Sequence, residues 1–194
     1  MNTKKIGLFF GSFNPVHTGH MIIANYLVTQ AELDEVWLVV SPQNPFKKSK
    51  TLADQYARLE LVKLAIGDTP NLRASSAEFQ LPKPSYTIDT LAHLKDEYPD
   101  YDFALIMGGD NLPTLNKWKN YEVILRDYSI YVYQRPGVEL GELADHPNVY
   151  VQEDVPLMQL SATYIRKCLK EGKSVRYLVP DSVAEELEKS GLYR

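Results

Sequence analysis

Cysteine is almost missing from this 194-residue chain, which carries only Cys168. A single thiol closes no intramolecular disulfide and completes no paired-cysteine metal site, which excludes a disulfide-stapled secreted scaffold and fits a reducing cytoplasm. A basic surplus is missing as well. Lysine and arginine total 21 against 25 acidic residues, a net charge of −4, opposite to the footprint of a general nucleic-acid binder. Any polyanionic ligand must therefore be met by a local cluster. Long apolar runs are absent too: Ile6 to Phe10 is shorter than the apolar region of a signal peptide, and no later run approaches a membrane span. The chain has no internal repeat and no low-complexity segment. What it does have, 44% hydrophobic and 24% charged residues, is the balance of an ordinary globular domain, expected to span 1–194, and excludes disorder.

Apolar runs alternate with helical periodicity. Lys4 to Phe10 predicts a strand that ends in the turn Gly11-Ser12-Phe13-Asn14-Pro15, and from Thr18, read as a hydroxyl cap, Met21, Ile22, Ala24, Tyr26, Leu27, Val28 and Ala31 follow helical spacing. Glu35 to Val40 reads as a parallel strand covered on both faces. Beyond a polar loop, Gln43 to Ala53, Asp54 caps a helix with Ala57, Leu61, Leu64 and Ala65 on its inner face and a stop at Gly67. Asn71 to Ala74 and Ala77 to Phe79 read as short strands, and Ser85 to Tyr98 as a helix closed by Pro99. Asp102 to Met107 is a buried strand, Leu112 to Arg126 is helical after Pro113, and Tyr128 to Tyr133 and Val149 to Val151 are the last strands. From Ser161 onward the pattern is helical, Ala162 to Glu171 and Asp181 to Ser190, split by Gly172 and Pro180. This alternation predicts an α/β, doubly wound parallel sheet flanked by helices, with a small helical part at about 161–194.

Ligands of such sheets lie beyond the carboxyl ends of the strands, which directs attention to Gly11–His20, Ser41–Lys50, Gly108–Leu112 and the approach to Ser161. Gly11 and Ser12 let backbone N–H groups approach a ligand, and the following helix points its positive end the same way. That makes an anion cradle. His17 and His20, three positions apart at the helix mouth, can aim two imidazole donors at the oxygens of one phosphate. Gly172-Lys173-Ser174 is no P-loop, because position 167 is lysine where that motif needs glycine. Lys47-Lys48-Ser49-Lys50 follows the second strand, the wrong place for the lysine signature of aminoacyl-tRNA synthetases.

The run Gly11-Ser12-Phe13-Asn14-Pro15-Val16-His17-Thr18-Gly19-His20 resembles the G-[ST]-F-[DN]-P-x-H-x-G-H signature of the nucleotidyltransferase superfamily. Four further segments narrow the resemblance to the bacterial nicotinate-nucleotide adenylyltransferases. They are Ser41-Pro42-Gln43-Asn44-Pro45-Phe46-Lys47, Ser85-Tyr86-Thr87-Ile88-Asp89-Thr90-Leu91, Gly108-Gly109-Asp110-Asn111-Leu112 with Trp118, and Leu160-Ser161-Ala162-Thr163-Tyr164-Ile165-Arg166. Phe46, Asn44 and Ala162 depart from that family, which usually has histidine, often proline, and serine there.

The resemblance implies a Rossmann-like fold and a cytoplasmic enzyme of NAD biosynthesis that joins ATP and nicotinate mononucleotide into deamido-NAD and pyrophosphate. It implies catalytic roles for His17, His20 and Arg166, and an ATP site of Gly11, Ser12, Phe13, His17, His20, Gly108, Asp110, Ser161, Thr163 and Arg166. The mononucleotide would meet Asn14, Lys47, Ser85, Thr87, Asp110 and Trp118. Mg2+ would be carried by the ATP phosphates with no protein metal site, and neither a nucleic-acid polymer nor a membrane is an expected partner; homo-oligomerisation stays open. A phosphopantetheine adenylyltransferase shares the first motif, but the Ser85–Leu91 and Trp118 segments speak against it. A non-catalytic nucleotide sensor would not need the His17, His20 and Arg166 set.

Overall fold

The computed structural model describes residues 3–42 and 52–194. Six parallel strands, β1 (Lys4–Gly11), β2 (Glu35–Val40), β3 (Leu72–Ser75), β4 (Tyr101–Gly108), β5 (Ile130–Tyr133) and β6 (Val149–Gln152), form one sheet in the order 3-2-1-4-5-6. The winding reverses between β1 and β4, so their carboxyl ends open the crevice in which this architecture places a ligand.

Strand alternation sorts the apolar residues onto two faces. Phe9, Val36, Leu38, Val40, Ala104 and Ile106 pack beneath α1 (Thr18–Gln30), α2 (Gln55–Ile66), α5 (Ala162–Lys170) and α6 (Asp181–Ser190). Ile6, Leu8, Trp37, Val39, Leu105 and Met107 pack beneath α3 (Thr87–Glu97) and α4 (Tyr121–Asp127). With both faces covered, near-continuous apolar strands are what the sheet requires. The C-terminal helices share the core of the first face through Ile165, Leu169, Val183 and Leu187.

Several elements differ from the sequence reading. His17, not Thr18, is the residue that precedes α1, and the Thr18 hydroxyl turns to the carbonyl of Tyr177 at 3.4 Å. Ala77–Gln80 is a 3₁₀ turn rather than a strand. The Leu112 to Arg126 stretch divides into a 3₁₀ turn, Leu112–Lys117, and α4, because Asn120 takes a left-handed φ of 51° that no helix interior accepts. Glu142–Asp145 adds a further 3₁₀ turn. The inner face of α2 is rotated from the one expected: Arg58, Leu59, Leu61, Val62 and Ile66 are buried, whereas Leu64 is exposed. Asp54 does cap α2, accepting from the N–H groups of Tyr56 and Ala57.

Candidate active site

β1 leaves the sheet at Gly11 and delivers its loop to the mouth of α1. No side chain fits at Gly11, where a Cβ would lie 2.8 Å from the Phe13 ring. Phe13 is held at a φ of 41°, a conformation that non-glycine residues rarely take, and its ring is buried against His20 with centroids 5.0 Å apart and planes at 78°. Phe13 therefore supports His20 from behind. The two histidine rings stack on each other, 3.6 Å between centroids and 21° between planes.

The Nδ1 of His20 accepts the backbone N–H of His17 at 3.2 Å, so the ring proton sits on Nε2, which becomes the donor. The Nδ1 of His17 is buried without a hydrogen-bond partner, and the ring lies over Gly19, the only residue type without a Cβ to press on it. Burial, with the charge of Arg135 added, lowers the His17 imidazole to about 4; burial, His17 and Arg135 hold His20 well below its ordinary value. At neutral pH both rings are uncharged hydrogen-bond donors.

Across the crevice β4 ends at Gly108, where a Cβ would meet the Asp110 carboxylate at 2.5 Å and the Tyr133 hydroxyl at 3.0 Å. Asp110 faces Arg135 at 3.5 Å, and Arg135 reaches the Tyr133 hydroxyl at 3.4 Å. Arg135 is thus a cation beside the β4 exit that the sequence did not single out. Its position directly after β5, beside the β4 exit, was the available signal.

Arg166 reaches the crevice from α5. Its Nη1 donates to the Asn14 carbonyl at 2.7 Å and its Nη2 to the Thr163 hydroxyl at 3.3 Å, so the distant Ser161–Arg166 motif joins the β1 loop. Ser161 caps α5 by accepting the Tyr164 N–H. Asn14 is buried and works inward: its Oδ1 accepts from the Ala53 N–H at 3.1 Å and the Tyr193 hydroxyl at 2.7 Å.

Beneath the loops lies Arg58, fully buried and also unanticipated. Its guanidinium donates to the carbonyls of Ser12 (2.5 Å), Ser41 (2.8 Å), Ala53 (2.9 Å) and Pro42 (3.3 Å), pinning the exits of β1 and β2 together. The stripe Arg58, Leu61, Val62, Ile66 has inward helical spacing, and that was the signal in the sequence.

The residues expected to meet the mononucleotide lie partly at α3. Ser85 is buried, Thr87 opens the helix, and Tyr86 before it supplies no side-chain cap; the Asp89 N–H bonds the Tyr86 carbonyl at 3.0 Å, which leaves the N–H groups of Thr87 and Ile88 as the helix-start donors. Lys119 holds both oxygens of Asp89 at 2.8 Å and lies over the Tyr86 ring, and its neighbour Trp118 is partly buried against the apolar core of the same face. Lys47, with Asn44 and Phe46, lies outside the described residues.

A doubly wound parallel sheet with a histidine pair at the mouth of its first helix defines the class, that of the Rossmann-like nucleotidyltransferases. The cytidylyltransferase-like family matches residues 8–168. The probable nicotinate-nucleotide adenylyltransferase of Cytophaga hutchinsonii is 54% identical over 93% of this chain and 94% of its own. That of Flavobacterium johnsoniae is 50% identical over 98% and 99%. The structure is similar to that of Plasmodium falciparum nicotinic acid mononucleotide adenylyltransferase, with a TM-score of 0.82 at 19% identity, covering 98% of this chain and 97% of the other. The chain belongs to the cytidylyltransferase-like family and, within it, to the nicotinate-nucleotide adenylyltransferases.

Proposed function

We propose that the chain transfers the adenylyl group of ATP to nicotinate mononucleotide, and that 1–194 acts as one catalytic domain. An oxygen of the mononucleotide 5′-phosphate attacks the α-phosphorus of ATP; the new P–O bond forms as the α–β phosphoanhydride bond breaks, and pyrophosphate leaves with the electron pair. A phosphate dianion is already a competent nucleophile, so the protein's work is alignment and stabilisation of charge. The observation that carries this reading is the pair of neutral, stacked imidazoles at the N-terminus of α1, whose donors suit phosphate oxygens without being neutralised by a carboxylate.

In this reading His17 and His20 hold α- and β-phosphate oxygens, Arg166 and the Ser161 and Thr163 hydroxyls hold the outer phosphates, and Gly11, Ser12 and Gly108 let backbone approach. Asp110 accepts from a ribose hydroxyl, and Arg135, its neighbour, faces the reacting phosphates. Ser85, Thr87 and Trp118 take the pyridine end, and Lys47 neutralises the mononucleotide phosphate. A divalent ion, taken as Mg2+, would be carried mainly by the ATP phosphates. Such an ion would supply charge neutralisation on the leaving pyrophosphate. Among the described residues no helix is long and apolar enough to cross a membrane, and the reduced, buried Cys168 suits the cytoplasm.

The test is pyrophosphate release from ATP and Mg2+ with nicotinate mononucleotide, nicotinamide mononucleotide and phosphopantetheine offered singly. Donors at the α3 start satisfy a carboxylate and leave an amide NH2 unpaired, so the acid should be preferred by more than about tenfold in kcat/KM. In the same assay folded His20→Ala should turn over roughly 10²–10³ more slowly, the scale for one preorganised donor. Release with phosphopantetheine alone, or with no acceptor, would overturn the assignment.

A further inference from the structure

Glu78 is one of the few buried charged side chains, and nothing in the transfer chemistry uses it. It sits on the 3₁₀ turn Ala77–Gln80, just past the carboxyl end of β3, with 3% of its surface exposed. Its Oε1 accepts the Thr90 hydroxyl of α3 at 3.1 Å. Its Oε2 is buried with no hydrogen-bond partner. The hydroxyls of Ser41, at the end of β2, and Ser85, two residues before α3, also lie close enough to act on the carboxyl. The side chain therefore stands where β2, the loop into α3 and α3 itself converge.

We propose that Glu78 is a positioning residue for the mononucleotide: it bridges Thr90, Ser85 and Ser41 and so fixes the donor-bearing start of α3 on which the pyridine carboxylate is held. This rests on the reading of Ser85, Thr87 and Trp118 as the pyridine pocket. A bare carboxylate with one buried, unpaired oxygen is costly, and it would stand among hydroxyls beside a site meant for another carboxylate. A neutral carboxyl removes both difficulties, since its O–H donates to a serine hydroxyl while its carbonyl oxygen still accepts from Thr90. Burial pushes the Glu78 carboxyl up from its ordinary value against the downward pull of the Ser41, Thr90 and Ser85 hydroxyls, in keeping with that form. Glutamine, with one acceptor and a donor in the same shape, should replace it. Alanine should not.

The experiment measures KM for each substrate separately in wild type, Glu78→Gln and Glu78→Ala by pyrophosphate release, with melting curves alongside. Glu78→Ala should raise the mononucleotide KM about tenfold and leave the ATP KM within about twofold, the scale of one lost buried hydrogen-bonding group. Glu78→Gln should stay within about threefold of wild type on both. Should Glu78→Ala not fold, Thr90→Val removes the partner instead and must reproduce the selective rise. Equal movement of both KM values, or a folded Glu78→Gln as impaired as the alanine variant, would overturn the proposal while leaving adenylyl transfer intact. Wild-type protein inactive toward nicotinate mononucleotide would overturn both.

Discussion

At the scale of single residues, the histidine pair works because it is kept uncharged. An imidazolium would attract phosphate more strongly, but two of them at 3.6 Å, with Arg135 nearby, would repel one another in the empty site. Burial resolves the conflict by holding both rings neutral, and the backbone N–H of His17 fixes which nitrogen of His20 carries the proton. This has a cost in acid. His17 in the folded chain binds its proton only near pH 4, whereas the unfolded imidazole binds it near its ordinary 6.5, so the unfolded state takes up protons first as pH falls. Stability present above pH 6.5 is therefore lost between about 6.5 and 4, by roughly 3 kcal/mol for His17 alone, with His20 acting in the same direction. Urea unfolding of wild type and His17→Asn across that range checks it. The wild-type curve should fall more steeply, and parallel curves would mean that His17 is not buried neutral.

At the scale of elements, loops rather than strands have to be immobilised, because the histidine pair, Asp110 and Arg135 all sit on strand exits or at a helix start. Arg58 does this for the exits of β1 and β2 by donating to four carbonyls of the loops around it. Asn14 does it for the β1 loop, linking Ala53, Tyr193 and Arg166. Removing the guanidinium leaves acceptors unpaired and the loops untied. Arg58→Met, which keeps an apolar body of similar reach, should lower unfolding free energy by about 3 kcal/mol or more, since hydrogen bonds from a charged group contribute about 1.5–3 kcal/mol each. A denaturant midpoint unchanged from wild type would show that the four carbonyls find other partners.

For the molecule as a whole, legibility in the sequence followed the physics of each part. Strands covered on both faces had to be apolar runs, so β1, β2 and β4 could be read directly, and the glycine and histidine run after β1 announced its own site. The break at Asn120 could not be read, because a left-handed residue in the middle of helical periodicity is imposed by tertiary packing. Arg58 and Arg135 left only positional marks, an inward helical spacing and a place just after β5, and Glu78 left none, for a charged residue does not show its partners until the chain is folded. Asn14, expected at the ligand, also holds its own loop through the Ala53 N–H and the Tyr193 hydroxyl, partners that sequence alone does not show.

The central claim is that this fold aligns two phosphates and lets one attack the other directly, with no side chain becoming bonded to the adenylyl group. The stereochemical course at the α-phosphorus tests that most directly. ATP bearing a single-configuration α-thiophosphate is turned over with nicotinate mononucleotide, and the configuration of the dinucleotide formed is determined. One in-line displacement inverts the phosphorus, and inversion is the predicted result. Retention would require two successive displacements through an adenylylated residue and would contradict the account.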